Sequence, residues 1–270
     1  MEPMTDRRIV RLPPAERIWA VAAVHGDVAR LRTVHERLRK ALRPGDRVVY
    51  LGNLIGWNPE VRATLDELLA FRREVMARPG GFACDVVYLR GRQEVMWQKL
   101  LQLQFTPDPV GALQWMLSRG VQATLAAYGG DARAGERAAR AGTMALTRWT
   151  GKLRQAMKAH PGHTDLLGRL RSAAVSREGH LLFVNAGLDP AKPVAAQQDL
   201  FWWHGAGFNA LDETQGYAGF ARVVRGFDPG QRGVTNTRAK LSLDAGAGFG
   251  GPLVAACLDP EGRVVDRIEG

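Results

Sequence analysis

Cysteine, acidic charge and long apolar runs are all scarce in this chain. Two cysteines in 270 residues, Cys84 and Cys257, cannot build a disulfide framework. Both lie in apolar, strand-like stretches, so buried and unreactive side chains are expected, in a reducing cytoplasm. No run approaches the roughly 20 apolar residues of a membrane span. The polar start, Met1 to Arg17, carries Arg7, Arg8 and Arg11 and no apolar core, which does not read as a secretory signal. Gly-rich phosphate loops and dinucleotide fingerprints are missing, and Ser118, Ser172, Ser176 and Ser242 lie in no nucleophile elbow. Of the histidines, His35, His160, His163 and His180 show no metal spacing beyond His160-x-x-His163, which straddles a Pro161-Gly162 turn.

What is present is basic. The chain has 37 Lys and Arg against 27 Asp and Glu, a net charge of +10. Between Val95 and Arg171, eleven basic residues face four acidic ones, so 11 − 4 = +7 of that charge lies in one segment. Such a segment is either a surface for nucleic acid, an acidic protein or anionic lipid head groups, or a solvated helical face. Apolar residues at 46% and charged residues at 24% are ordinary for a globular protein with a substantial core.

Periodicity orders the elements. Arg17 to Val24 reads as a buried strand, and Val28, Leu31, Val34, Leu38 and Leu42 then share one helical face before Pro44-Gly45. A strand over Arg47 to Leu51, a helix over about Glu60 to Met76 and a strand over Asp85 to Leu89 follow, a β-α-β-α-β order that implies a parallel sheet. Residues 95–175 read as a helical insertion, with Leu146, Trp149, Leu153 and Met157 as a packing stripe. Short strands over His180 to Val184, Ala221 to Arg225, Leu241 to Asp244, Pro252 to Leu258 and Val264 to Ile268 suggest an antiparallel half beside the parallel one. The expected whole is a single domain over 1–270, a two-sheet mixed α/β sandwich flanked by helices.

Five strand-end segments concentrate the chemistry: Ala22-Ala23-Val24-His25-Gly26, Gly52-Asn53-Leu54-Ile55-Gly56, Gly91-Arg92-Gln93-Glu94, Val184-Asn185-Ala186-Gly187 and Gly226-Phe227-Asp228-Pro229. In order and spacing they resemble the loops of the calcineurin-like metallophosphoesterases, in the branch of the phosphoprotein phosphatases and dinucleoside tetraphosphatases. Those loops read Gly-Asp-x-His-Gly, Gly-Asp-x-x-Asp-Arg-Gly, Gly-Asn-His-Glu, a His before Ala-Gly, and Gly-His-Thr. Further tags resemble the family's bacterial members: Arg11-Leu12-Pro13, Gly45-Asp46-Arg47, Asp199-Leu200-Phe201-Trp202, Asp244-Ala245-Gly246 and Gly250-Gly251-Pro252-Leu253. The resemblance implies a four-layer α/β/β/α fold and, in active members, two divalent metals.

Matched position by position, the metal ligands are largely replaced. Ala23 stands at the first Asp, while His25 remains; Asn53 stands at the bridging Asp, Arg92 at the Asn ligand and Gln93 at the general-acid His. Asn185 and Phe227 stand at the two distal His, and Trp57 at the phosphate-gripping Arg. A two-metal hydrolase needs anionic and imidazole ligands to hold its cations about 3.5–4 Å apart, and a guanidinium has no lone pair to give. The expectation is therefore a pseudophosphatase without metal cofactors, binding a protein partner or small anionic ligand. Arg92, with His25, Asn53, Gln93, Asn185 and His204, could form an anion site; the other reading pairs Arg92 with Glu94, Asp27 or Asp244. His25 is either a ligand or a structural remnant, and Phe227 is expected to fill space the ligands leave. A weak phosphoesterase using His25 with Asp27, Glu94 or Asp244 and a nucleic-acid binder using the basic insertion stand as alternatives.

Overall fold

The computed structural model describes residues 8–270; the beginning of the basic arm, with Arg7, lies outside them. The first strand, β1 (Ile9–Arg11), falls in the stretch read from sequence as an arm. Three residues, two of them apolar, carry no periodic signal; they become a strand only through a parallel tertiary pairing. Then come β2 (Ile18–Val21), α1 (Val28–Ala41), β3 (Arg47–Tyr50), α2 (Val61–Ala77) and β4 (Val86–Tyr88), as the periodicity predicts. Asp27 caps α1, its carboxylate accepting from the Arg30 N–H at 3.1 Å, and Val28, Leu31, Val34 and Leu38 form the buried face.

The helical segment holds α3 (Arg92–Leu101), α4 (Pro109–Met116), α5 (Gln122–Ala127), α6 (Ala132–Arg140), α7 (Thr143–Lys158) and α8 (His163–Gly168). Between α4 and α5 the chain kinks at Arg119 and Gly120, where Gly120 takes φ 97°. On α7, Leu146, Leu153 and Met157 are buried and Trp149 partly so, as the stripe predicts. His163 bonds to the Tyr128 hydroxyl (2.8 Å) and Asp66 (3.0 Å), fastening α8 to α2, and His160 stacks on it.

The remaining elements are β5 (Ala173–Val175), β6 (Leu181–Val184), α9 (Leu200–Trp203), α10 (Gly205–Asn209), β7 (Arg222–Arg225), β8 (Thr235–Asn236), β9 (Lys240–Ser242), β10 (Val254–Leu258) and β11 (Val264–Glu269). One sheet runs β11-β10-β2-β3-β4 and the other β1-β5-β6-β7-β9-β8. The expected antiparallel half is corrected. β6, β7 and β9 pair in parallel, and the antiparallel β10 and β11 cross back to extend the first sheet. Closely spaced strands imply hairpins only when their partners are sequence neighbours, as β10 and β11 are; longer connections separate β6, β7 and β9. Both sheets are mixed, and the whole is an α/β sandwich. No helix among the described residues is long and apolar enough to cross a membrane.

Two cores sit on either side of the second sheet. Along β6, Leu181 and Phe183 join the large core between the sheets, while Leu182 and Val184 face a smaller one with Phe201, Trp202 and Phe208. This period of two is what a strand covered on both faces requires. Cys257 lies buried in β10 as expected, but Cys84 is exposed, in the turn before β4 rather than in the strand.

Below the loop that follows β7, Arg225 and Asp228 form an ion pair of 2.9 Å, each about 1% exposed, and Arg225 stacks on Phe208 at 4.1 Å. Asp228 also accepts from the N–H groups of Gly230 and Arg232, and its own N–H donates to Asp244. Removing one partner strands a buried charge, so Asp228→Ala is expected to cost about 3–5 kcal/mol. Urea unfolding measures that loss.

Candidate functional site

The carboxyl ends of β2, β3, β4, β6 and β7 meet at one end of the sandwich, where their loops are bonded to one another. Val24 and His25 N–H both donate to the Asn53 carbonyl (3.0 and 2.7 Å), and Ala23 N–H to that of Gly226 (3.0 Å). Gly226 and Phe227 N–H donate to the Asn185 carbonyl, and the Asn185 amide to that of Leu51 (2.7 Å). Ala23, His25, Asn53, Arg92, Gln93, Asn185 and Phe227 thus belong to one loop cluster. Gly91 permits the approach: a Cβ there would lie 2.3 Å from Asn53 Oδ1 and 2.8 Å from Asn185 Nδ2.

Glu94 ties the cluster together. Its buried carboxylate accepts from the N–H groups of Gly91 (2.8 Å), Asn53 (3.0 Å), Leu54 (2.7 Å) and Ile55 (3.2 Å). Burial pushes this carboxyl up from its ordinary range, and backbone N–H groups, those of Gly91, Ile55 and Asn53 among them, oppose that by favouring the charged form. The tie holds a costly loop: His25, Asn53 and Trp57 all adopt left-handed backbone, with φ between 54° and 57°. Each such non-glycine residue costs on the order of 1–2 kcal/mol.

The polar side chains are buried and incompletely satisfied. Both ring nitrogens of His25, Asn53 Nδ2, Gln93 Oε1 and Asn185 Oδ1 lack a hydrogen-bond partner. His25 packs edge-on against Phe227 and Phe249, each 5.4 Å away, so Phe227 occupies space beside the remaining histidine. Burial, then the charge of Arg92, lowers the His25 pKa to about 3, so the ring is neutral near pH 7. Gln93 turns toward the insertion, its amide donating to the Arg119 carbonyl at 2.7 Å.

Arg92 opens α3 half-buried, and none of the acids considered for it is its partner. Glu94 is taken up by backbone, Asp27 pairs with Arg30 (2.7 Å), and Asp244 accepts from the N–H groups of Asp228 and Gly246. The pairing reading is therefore corrected. Among the described residues Arg92 has no carboxylate partner; its Nε donates to the Trp202 carbonyl (3.3 Å) and its guanidinium lies over Trp203 (4.8 Å) and Phe227 (5.4 Å). Burial, then Arg119, lowers its pKa from the ordinary value. His204 does not join the group: its ring lies where a Cβ on Gly207 would sit, and no hydrogen bond or ring contact links it to Arg92 or His25.

Sequence reading missed the rim. Phe249 contacts His25 on one side and Trp57 (5.0 Å) on the other, and Trp57 N–H donates to the Gly120 carbonyl at the insertion kink. Trp203 meets Trp115 (5.9 Å), and Arg119 covers Trp115 at 4.5 Å. These aromatics are far apart in sequence, and only the kink at Arg119-Gly120 brings the insertion onto the second and third loops. The positive charge expected of the insertion was the available signal for Arg119.

The donor set does not fit a pair of divalent cations. Hard cations select carboxylates, and softer ones select several imidazoles or thiolates; here one neutral histidine stands among amides, a phenyl ring and a guanidinium. Among the described residues no three His, Cys, Asp or Glu gather where they could hold a metal ion.

Two outcomes follow from the geometry. Glu94→Gln replaces an acceptor-only group with one that points an NH₂ at backbone donors. A loss of about 2–4 kcal/mol is expected in urea unfolding. His25 has a folded pKa below its unfolded value, so below about pH 6.5 the unfolded chain binds the extra proton. Its contribution to stability is complete above that pH and falls toward pH 3, by up to about 1.4 kcal/mol per pH unit. Stability measured against pH should be flatter over this window in His25→Gln than in the wild type.

No protein-family profile and no curated protein matches the chain. Solved structures do. A candidate diadenosine tetraphosphatase is 17% identical, with 97% of each chain covered and a TM-score of 0.54. A Saccharomyces cerevisiae protein serine/threonine phosphatase with similarity to human phosphatase PP5 is 12% identical, covering 99% of this chain and 84% of its own, at 0.53. A cold-active protein-tyrosine phosphatase of a psychrophilic Shewanella is 13% identical, covering 97% and 82%, at 0.55. At such identities the likeness speaks for architecture, and the chain has the calcineurin-like metallophosphoesterase fold.

Proposed function

We propose that this protein is a pseudophosphatase, a phosphoesterase fold that works without metal as a binding module and takes an anionic group in its former catalytic cleft. The observation that carries this reading is Arg92. It brings a fixed charge to the loop cluster, has no carboxylate partner among the described residues, and is held in place by Trp203, Phe227 and the Trp202 carbonyl. A guanidinium held between rings keeps its outer N–H groups in a planar fork suited to a carboxylate or phosphate. Asn53 Nδ2 and a His25 N–H are further donors lacking partners.

The retained frame supports binding over decay. The left-handed loop residues, the Glu94 tie and the Gly91 contact all survive without the ligands they would serve. Hydrolysis has less support. His25 at a pKa of about 3 is no proton donor near neutrality, and Asp27, Glu94 and Asp244 are engaged elsewhere. A cytoplasmic setting is part of the proposal.

Elemental analysis of the protein purified with added Mn²⁺, Zn²⁺ or Fe²⁺ should find substoichiometric metal, with no hydrolysis of p-nitrophenyl phosphate or dinucleoside polyphosphates. Two equivalents of metal with turnover that His25→Ala abolishes would make it an enzyme.

A further inference from the structure

The rim of the cleft goes beyond what a small anion needs. Among the described residues, the exposed large apolar side chains include Trp57, Trp115 and Phe249, each 41–43% exposed, and all three stand on this rim. Trp57 and Phe249 touch each other. Trp115 and Trp203 form a second pair, with Arg92 over Trp203 and Arg119 over Trp115. Exposed aromatics interleaved with arginine have the composition of protein-interface anchors.

Charge sets the sign of the partner. Arg92 and Arg119 lie over the neighbouring rings of Trp203 and Trp115, which are 5.9 Å apart, and the charge of Arg119 lowers the pKa of Arg92. Neither has a carboxylate partner among the described residues; Arg119 reaches only Ser118 Oγ, at 3.5 Å, and the Trp115 ring. Two unneutralised guanidinium groups beside each other are a standing repulsion that an incoming pair of carboxylates would relieve.

Ring geometry favours a protein over a nucleic acid. Base stacking needs open aromatic faces. Here Arg119 lies over the Trp115 face, Arg92 over those of Trp203 and Phe227, and the Gly120 backbone against Trp57, where an added Cβ would be 2.6 Å from the ring. The guanidinium forks favour carboxylates, and so do ring edges, which carry the positive end of the aromatic quadrupole.

We propose that Trp57, Phe249, Trp115, Trp203, Arg92 and Arg119 form a docking surface for an acidic segment of a partner protein, with Asp or Glu side chains on the two arginines and an apolar residue on the aromatic rim. This deepens the pseudophosphatase reading and rests on it, since bound metals and a hydrolysable substrate would claim the same cleft.

The test is fluorescence anisotropy with a labelled peptide of alternating Glu and Phe, on the full chain with chelator present. Saturable binding is expected that weakens at least about tenfold in Arg119→Ala and in Arg92→Ala, the loss typical of an interface anchor. Arg133→Ala, at an exposed position on α6, should bind as the wild type does. Circular dichroism of each variant separates loss of binding from loss of fold, and Arg119→Ala, at an exposed position whose side chain hydrogen-bonds only Ser118, is the variant expected to keep the fold. No saturable binding, equal binding of the Lys-for-Glu peptide, or tighter binding of oligo(dT) would overturn the proposal. Metal uptake with turnover would instead refute the underlying reading, so the two failures are distinguishable.

Discussion

A single carboxylate organises the functional end of this protein. Glu94, at the start of α3, accepts from four backbone N–H groups contributed by two loops, and through them fixes the strand-end turn that follows β3. That turn carries Asn53, whose carbonyl receives the N–H groups of Val24 and His25 and so positions the loop after β2. A buried carboxylate is tolerable only when its lone pairs are spent on donors, and here they are spent on the backbone that shapes the cleft. The left-handed residues at 25, 53 and 57 can persist because this network over-determines them.

On that frame the site side chains are amides, one neutral histidine and a fixed guanidinium. Under the proposed function, the positive field offered to an anion comes from a side chain, Arg92. Phe227 and Phe249 keep His25 dry enough to stay neutral. The insertion closes over the site through two backbone carbonyls, Arg119 to the Gln93 amide and Gly120 to the Trp57 N–H. Cleft and insertion therefore act as one surface.

Much of this was legible in the sequence because it depends on local pattern. The first β-α-β-α-β stretch is set by apolar periodicity and Pro-Gly stops, and the five loop frames are short contiguous strings. What was not legible depends on distant partners. β1 is a strand only because it pairs with β5, and β9 is parallel to β7 because the chain between them loops away. The freedom of Arg92 from acid could not be read from composition: Glu94, two residues away, has a carboxylate that backbone groups claim first. His204 looked like a sixth donor by proximity along the chain, yet it packs at Gly207. The aromatic rim gathers residues from four separate segments and has no string to find.

The central claim is that Arg92 supplies the anion affinity once supplied by metals. Calorimetric titration of inorganic phosphate into chelator-treated protein, wild type against Arg92→Ala, tests it most directly. The account predicts metal-independent binding in the wild type that is lost in the variant. Binding that appears only with added divalent cation, or that survives removal of Arg92, would contradict it.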